Sequence, residues 1–521
     1  MGNELSSRHT KMIELQKLAA LPALFRDYID KNPELKPYYG THYTEISSLE
    51  DLAKFQDQRS IDRQLLYSVL TQQYEGISLY SVQKENLQAL KNPNTFTVTT
   101  GHQLCLFGGP WFVAYKILAT IAYAQHLQQL SSNYKIVPIF WLASEDHDIA
   151  EIQSLSIQRS KIYYPTDYQG VTGNLPLKGI RDTLDLVFTH LEKGIYAPAI
   201  KKILTQSYQP HFTLKQATRL FIQQMFGHLG ILVLDAQVNE LKSKFLPIAQ
   251  QEIEQNTTYT KVRQTLAELH QLGYKTYANP QPINLFYIYD NYQREKWNAQ
   301  KHTINFNRPY HISPNVLLRP LYQELILPNL AYVGGPNEIA YWLSLKGTFE
   351  AFSVPFPILV PRYFGLQIPS NYLAWIKKHE IDLFTLLHTT QEKFLADYFQ
   401  AQIDQDTEVQ KIKHKWEQFK QTLIDYTVQQ KLGLEASAMA AITRMEKHWS
   451  HFYTKIRKEK QRNASIFHQK LSELYNYLLP HNTWQERSES YLDTYAIYGN
   501  ALWSSILQKP ITEPYFWIWE I

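Results

Sequence analysis

The sequence predicts an α/β protein: a parallel sheet interrupted by two excursions and followed by a long helical arm. Three observations predict it. Two strand candidates, 96–99 and 136–143, are separated by one helix-like stretch, which makes a βαβ unit and so a parallel pair. Both run into polar clusters, at 100–103 and 144–148. From about residue 380 apolar residues recur three and four apart, as in a coiled coil.

Residues 1–92 read as helical and irregular. Leu15, Leu18, Leu21 and Leu24 suggest an amphipathic helix, which Asn32-Pro33 and Lys36-Pro37 break. The N-terminus lacks the apolar core of a signal peptide. It fits the short M-G-x-x-x-S myristoylation pattern, which matches readily by chance.

The organising stretch is 97–116, TVTTGHQLCLFGGPWFVAYK. Thr100-Gly101-His102-Gln103 reads as a polar turn and Gly108-Gly109 as a second one. Pro110 suits the first position of a helix expected to reach about Leu130, with Trp111, Tyr115, Leu118 and Ala122 on one face. Strand, glycine turn and helix together present free N–H groups and a helix dipole to an anion. The stretch is neither a GxGxxG fingerprint nor a Walker loop, and an ordinary strand-to-helix turn reads the same way. Cys105 is the single cysteine, which excludes an intrachain disulfide and a multi-cysteine zinc site. No general base is identifiable for it as a nucleophile.

The run 136–143 is apolar throughout, as expected of a strand buried on both faces, and ends in Ser144-Glu145-Asp146-His147-Asp148. Ligands of parallel sheets bind beyond the carboxyl ends of the strands. The charged cluster could hold an ammonium group, ligate Mg²⁺ or supply a general acid and base; a solvated loop is the alternative. Residues 155–215, with Pro165, Gly170, Gly173, Pro176 and Gly179, read as an insertion. A third strand at 231–234 is followed by Asp235. A second excursion, 250–310, carries a helix near 250–272 and a strand candidate at 283–289. Arg319 stands in an apolar stretch and is expected to have an anionic partner. Tyr332 to Glu338 repeats the strand–glycine–helix pattern, with Gly334 and Gly335 before Pro336 and Asn337. A further apolar run, 354–364, carries Arg362 near its end.

In the arm, Val409, Ile412, Trp416, Phe419, Leu423 and Tyr426 form one heptad seam. Ile442, Met445, Trp449, Phe452 and Ile456 form another, with Phe467, Leu471, Leu474 and Leu478 continuing it after a stutter. A turn near 430–437 would make an antiparallel hairpin. Its extra apolar surface predicts a homodimer through 400–478. Tyr515–Trp519 is a strand candidate returning to the body.

At 521 residues and a formal charge of +4 the chain can bury a large core, and nothing argues for a nucleic-acid partner. No run approaches the roughly 18 apolar residues that span a bilayer, so no membrane partner is expected and the default location is cytoplasmic.

The motifs TGHQ with GGP and Tyr115-Lys116, FWLASEDHD, GILVLD, SPNVLLRP, YVGGPNEIAYW, VPR at 360–362 and Gln485-Glu486-Arg487 occur in one order along nearly the whole chain. In them the chain resembles the bacillithiol-biosynthesis cysteine-adding enzymes. The family pattern more often has glutamine at His102 and threonine at Gly108. The resemblance implies a Rossmann-type core with two connecting insertions and a C-terminal antiparallel coiled-coil arm supporting a dimer. Its divisions would be 1–92, core parts 93–154, 216–249 and 313–378, insertions 155–215 and 250–312, arm 379–480 and a returning segment 481–521. It implies a ligase joining L-cysteine to glucosaminyl-malate in the last step towards a low-molecular-weight thiol; ATP with Mg²⁺ is an analogy of fold only, and no metal ligands are assigned. A non-catalytic scaffold binding a nucleotide or precursor, and partners through its arm, is the alternative. The expected catalytic residues are His102, Glu145, Asp146, His147 and Asp148. Binding is expected of Thr100, Gly101, Gln103, Gly108, Gly109, Lys116, Asp235, Arg319, Gly334, Gly335, Asn337 and Glu338.

Overall fold

A computed structural model of the chain describes residues 11–46, 48–56, 61–275, 278–430 and 433–521. The myristoylation pattern, and residues 431–432 of the expected arm turn, lie outside them. The chain forms two compact units, Met1–Gln367 with Thr483–Ile521, and Ile368–Asn482.

The strands in chain order are β1 (Lys11–Glu14), β2 (Thr95–His102), β3 (Lys135–Leu142), β4 (Ser154–Ile157), β5 (Ser160–Tyr163), β6 (Leu232–Asp235), β7 (Leu285–Ile288), β8 (Arg294–Lys296), β9 (Ile312–Pro314), β10 (Asn329–Gly334), β11 (Ile358–Pro361), β12 (Phe364–Ile368) and β13 (Tyr515–Glu520). The central sheet has the order β11-β10-β2-β3-β6, every neighbour parallel. The chain moves outward from β2 to β3 and β6, then returns to lay β10 on the other side of β2. Strand order therefore reverses between β2 and β10, where doubly wound sheets bind ligands. Register aligns His102 with Leu142, Leu142 with Asp235, and Gly334 with Pro361, so these strands finish along one edge.

The helix Trp111–Leu130 joins β2 to β3 and is buried on nearly every side, so the single face read from its spacing is too narrow. Pro110 caps it in extended conformation instead of opening its first turn. The expected turn at 100–103 is also corrected: β2 continues through Thr100, Gly101 and His102, paired to β3. The tight turn comes later, at Phe107, Gly108 and Gly109, whose φ angles are +51°, +85° and +68°.

At the N-terminus, Leu15, Leu18, Leu21 and Leu24 are buried but do not share a helix. β1 pairs antiparallel with β13, a short 3₁₀ turn follows, and the first α-helix is Ala23–Ile29. β13 also pairs with β12, so the last strand returns to the first unit. The expected helix near 250–272 is two helices, Leu246–Gln255 and Thr257–Gln271, separated by Asn256 in left-handed conformation.

In the second unit, Thr407–Gln429 and Glu435–Asn463 form the hairpin. Trp416 stacks near Trp449 at 6.5 Å, Lys420 pairs with Glu446 at 2.7 Å and Lys460 with Asp406 at 2.6 Å, an antiparallel register. The stutter is corrected. The helix stops at Asn463, and Ser465–Leu478 is a separate helix whose Phe467 stacks on Tyr398. The seam is only partly covered: Val409 and Ile442 are buried, while Ile412, Phe419, Tyr426 and Phe452 are exposed.

A Cβ at Gly108 would lie 2.2 Å from Tyr491 Oη and 2.4 Å from Phe221 Cε1. Gly273 has a similar φ of +86° but open space around it. Gly108→Ala should therefore cost about 3 kcal/mol or more, against about 1 kcal/mol for Gly273→Ala. Urea unfolding of the two variants checks this, and equal losses would refute the steric account.

Candidate functional site

A cavity of about 610 Å³ lies over the carboxyl ends of β2, β3 and β10, within the first unit. Gly101, His102, Gln103, Lys116, Glu145, Asp146, His147, Arg319, Gly335, Asn337 and Glu338 all line it.

Its floor is tied by Lys116. The helix Trp111–Leu130 carries this ammonium back to β2, where Nζ donates to the Gly101 carbonyl at 2.7 Å and meets Glu338 Oε2 at 2.7 Å. Glu338 also accepts from the Gly335 N–H at 2.8 Å and the Tyr332 hydroxyl at 3.0 Å. Burial pushes the Glu338 carboxyl up, but Lys116 and the Gly335 N–H outweigh it and hold it at about 2. A Cβ on Gly101 would lie 3.3 Å from Trp141, tighter than ordinary van der Waals contact.

The loop after β3 forms an acidic wall with its own counter-charges. Glu145 pairs at 2.6 Å with Lys242, which is fully buried. Gln103 Nε2 donates to Asp146 Oδ2 at 2.6 Å and Glu151 Oε2 at 2.8 Å, so one amide bridges two carboxylates. Arg294 on β8 stacks on Phe286 at 3.9 Å, lies 3.9 Å from Asp146 and approaches His147 Nδ1 at 3.3 Å.

Besides Lys116 and Arg294, the cationic groups lining the cavity are Lys296, Arg319, Arg362 and Arg487. Arg362 pairs with the buried Glu486 through both nitrogens, at 3.0 and 2.5 Å. Arg319 was expected to have an anionic partner, and no carboxylate of the described residues pairs with it. It bonds Gln323 at 3.0 Å and the Tyr332 hydroxyl at 3.4 Å, and lies over the Trp141 and Tyr332 rings. A buried polar chain supports it: Thr97 and Thr99 donate to Asn329, whose amide and that of Gln323 both donate to Glu324. Arg487 lies over Phe112 at 5.3 Å. Neither Arg319 nor Arg487 has a carboxylate within 4 Å among the described residues.

His102 Nδ1 lies 3.0 Å from the Gln103 carbonyl, which can only accept, so Nδ1 carries the proton. Burial, with Lys116 nearby, lowers the imidazole to about 4 and keeps it neutral at pH 7. Its Nε2 is then an acceptor and a weak base. Burial pushes the Cys105 thiol up to about 12, which removes the thiolate a nucleophile needs.

Several expected binding residues, and the expected catalytic residue Asp148, do not line the cavity. Thr100 donates inside the sheet to the Val333 carbonyl at 2.8 Å. Gly108 and Gly109 serve the tight turn, because Phe221, Tyr491 and Cys105 leave no room for a Cβ. The start of the helix after them offers no free first amide, since Trp111 N–H donates to the Glu489 carbonyl at 2.9 Å. Gly334 ends β10, and its carbonyl accepts from the Arg362 N–H. Asp148 caps the short helix Ile149–Ile152 through the Glu151 N–H at 3.2 Å. Asp235 lies behind the loop, accepting from Ser144 Oγ at 2.5 Å and the Gln237 N–H. Sequence reasoning missed Arg294, Arg487, Glu151 and Lys242 as site residues. Arg487 was visible only as part of the Gln485-Glu486-Arg487 motif. The described residues bring together no group of three or more His, Cys, Asp or Glu placed to hold a metal ion.

Glu338 is held well below its ordinary 4.5, so its stabilising effect is complete above that pH and fades as the pH falls towards 2. Glu338→Gln should therefore be less stable than the parent at neutral pH, with the gap closing across that interval. Urea midpoints against pH measure it; a constant gap would show that the carboxylate charge is not what stabilises.

Residues 9–363 match the family model for the BshC N-terminal Rossmann-like domain of bacillithiol biosynthesis, and 366–515 that for the BshC C-terminal coiled-coil domain. The chain is 32% identical to a Flavobacterium johnsoniae protein named "Putative cysteine ligase BshC", covering 96% of this chain and 97% of that one. Proteins of the same name from Flavobacterium psychrophilum and Cytophaga hutchinsonii are 33% and 30% identical, covering 95% and 93% of this chain and 96% and 94% of theirs. No helix among the described residues is long and apolar enough to cross a membrane. With a parallel sheet whose order reverses at the cavity and a helical hairpin in the other unit, the chain belongs to the BshC family of bacillithiol biosynthesis.

Proposed function

We propose that the cavity is the active site of a cytoplasmic ligase that joins the carboxyl group of L-cysteine to the amine of glucosaminyl-malate, the last step of bacillithiol formation. One observation carries the reading: Arg319 and Arg487 line the cavity with no carboxylate within 4 Å among the described residues, beside a loop rich in carboxylates. That combination suits a substrate with both carboxylates and an amine. The two guanidiniums take the malyl carboxylates, and Asp146, steadied by Gln103, takes the amine.

An amine attacks only when unprotonated. In the proposed step its nitrogen forms the C–N bond to an activated cysteine carboxyl carbon, and the carbon–oxygen bond to the activating group breaks with its electron pair. The amine proton passes to Asp146. His102, neutral and a weak base, accepts a hydrogen bond and does not take up that proton. Activation of the carboxyl requires a cosubstrate, and ATP with Mg²⁺ is the first to test.

Incubation with L-cysteine, glucosaminyl-malate and ATP–Mg²⁺ should give the cysteine adduct by mass spectrometry, and Asp146→Asn should abolish it. Arg319→Gln should raise KM for glucosaminyl-malate at least about tenfold, the loss of a charge-assisted contact, with a smaller change in kcat. Precursor binding with no product, across several nucleoside triphosphates, would favour a scaffold.

We infer a homodimer through 400–478, because exposed Ile412, Phe419, Tyr426 and Phe452 leave the hairpin with uncovered apolar surface. Replacing 405–475 by a short Gly/Ser linker should give a monomer by light scattering; a retained dimer would exclude the arm as the interface.

A further inference from the structure

We propose that residues 485–490 form a strap holding Arg487 against the cavity, and that Glu486 is the positioning residue that fixes it; this rests on the cavity being the substrate site. The strap follows directly on the return of the chain to the first unit at Thr483. It is stitched down on both sides of Arg487. On one side, the Gln485 amide pairs with the backbone of Gln367, accepting from its N–H at 2.9 Å and donating to its carbonyl at 3.2 Å. The Glu486 carboxylate, 2% exposed, accepts from Arg362 twice and from the Gly365 N–H at 3.1 Å. On the other side, the Glu489 carbonyl accepts from the Trp111 N–H, and its carboxylate accepts from Ser156 Oγ at 2.6 Å and the Arg159 N–H at 2.9 Å. Between these anchors Arg487 has no carboxylate within 4 Å among the described residues and lies over Phe112.

Glu486 also decides which guanidinium carries free charge. Arg362 and Arg487 both lie against Phe112, at 5.7 and 5.3 Å. Glu486 neutralises Arg362, and Arg362 Nη1 is further held by the Tyr363 carbonyl at 2.6 Å. Arg487 is left as the net cation offered to an anionic group. Without the Glu486 charge, Arg362 competes for the ring and the strap loses its strongest anchor, so Arg487 loses its fixed place.

Calorimetric titration of glucosaminyl-malate into the full-length protein tests this without needing turnover. Glu486→Gln and Arg487→Met should each weaken Kd about tenfold, the worth of one charge-assisted contact. The double variant should bind no more weakly than Arg487→Met alone, because Glu486 acts through Arg487. A general structural role would instead give additive losses. Should Glu486→Gln fail to fold, Glu486→Asp, which keeps the charge one methylene shorter, carries the same cycle with a smaller loss. Parental affinity in the folded Glu486 variant, additive effects, or no binding to the parent protein would overturn the proposal. Binding with the expected coupling but no product from the parent protein would uphold the strap and overturn only the ligase reading.

Discussion

A lysine buried where the strand order reverses has to find its counter-charge inside the protein, and the site is built around how it does so. Lys116 is 1% exposed, on a helix whose other buried residues are apolar except Thr120. Leaving such a charge unpaired would cost several kcal/mol, so Glu338 and the Gly101 carbonyl are required as a set. Gly101 is the next-to-last residue of β2, and Glu338 lies in the first turn of the helix after β10. One ammonium thus fastens the two halves of the sheet across the gap that becomes the cavity floor.

The remaining charges follow from that closure. The loop after β3 balances its carboxylates with Lys242, Arg294 and the Gln103 amide, drawn from three separate parts of the chain. Arg362 is matched by Glu486. Arg319 is held by a buried run of neutral and acidic side chains that ends in Gln323, not by a carboxylate of its own. Protein groups therefore satisfy most cavity charges, but among the described residues Arg319, Arg487 and the Lys296 ammonium are left without a carboxylate within 4 Å.

Much of this was legible in the sequence because fully buried strands are uniform apolar runs and stop abruptly. The runs at 136–143 and 231–234, and the polar residues after them, located the edge of the sheet over which the cavity lies. What local pattern could not supply was partnership at a distance. β1 is four residues long and is a strand only because β13 pairs with it. Arg294 lies beyond the strand candidate of its excursion, in the polar stretch 290–296, and Arg487 reaches the cavity only because the chain comes back after the arm. Gly108-Gly109 resembled an anion-binding turn, yet the reason for glycine there is the space taken by Phe221, Tyr491 and Cys105. Asp148 was indistinguishable from its neighbours by composition; it caps a short helix and does not line the cavity. The stutter was likewise a break between helices, since a spacing of apolar residues does not report the residue at which the axis changes.

The central claim is that the cavity holds an amino-dicarboxylate between its free guanidiniums and its carboxylate loop. A crystal structure with glucosaminyl-malate bound tests it most directly. The account predicts malyl carboxylate oxygens within hydrogen-bond distance of Arg319 and Arg487, and the amine within hydrogen-bond distance of Asp146. A ligand bound outside this cavity, or inside it with its carboxylates away from both arginines, would contradict the account.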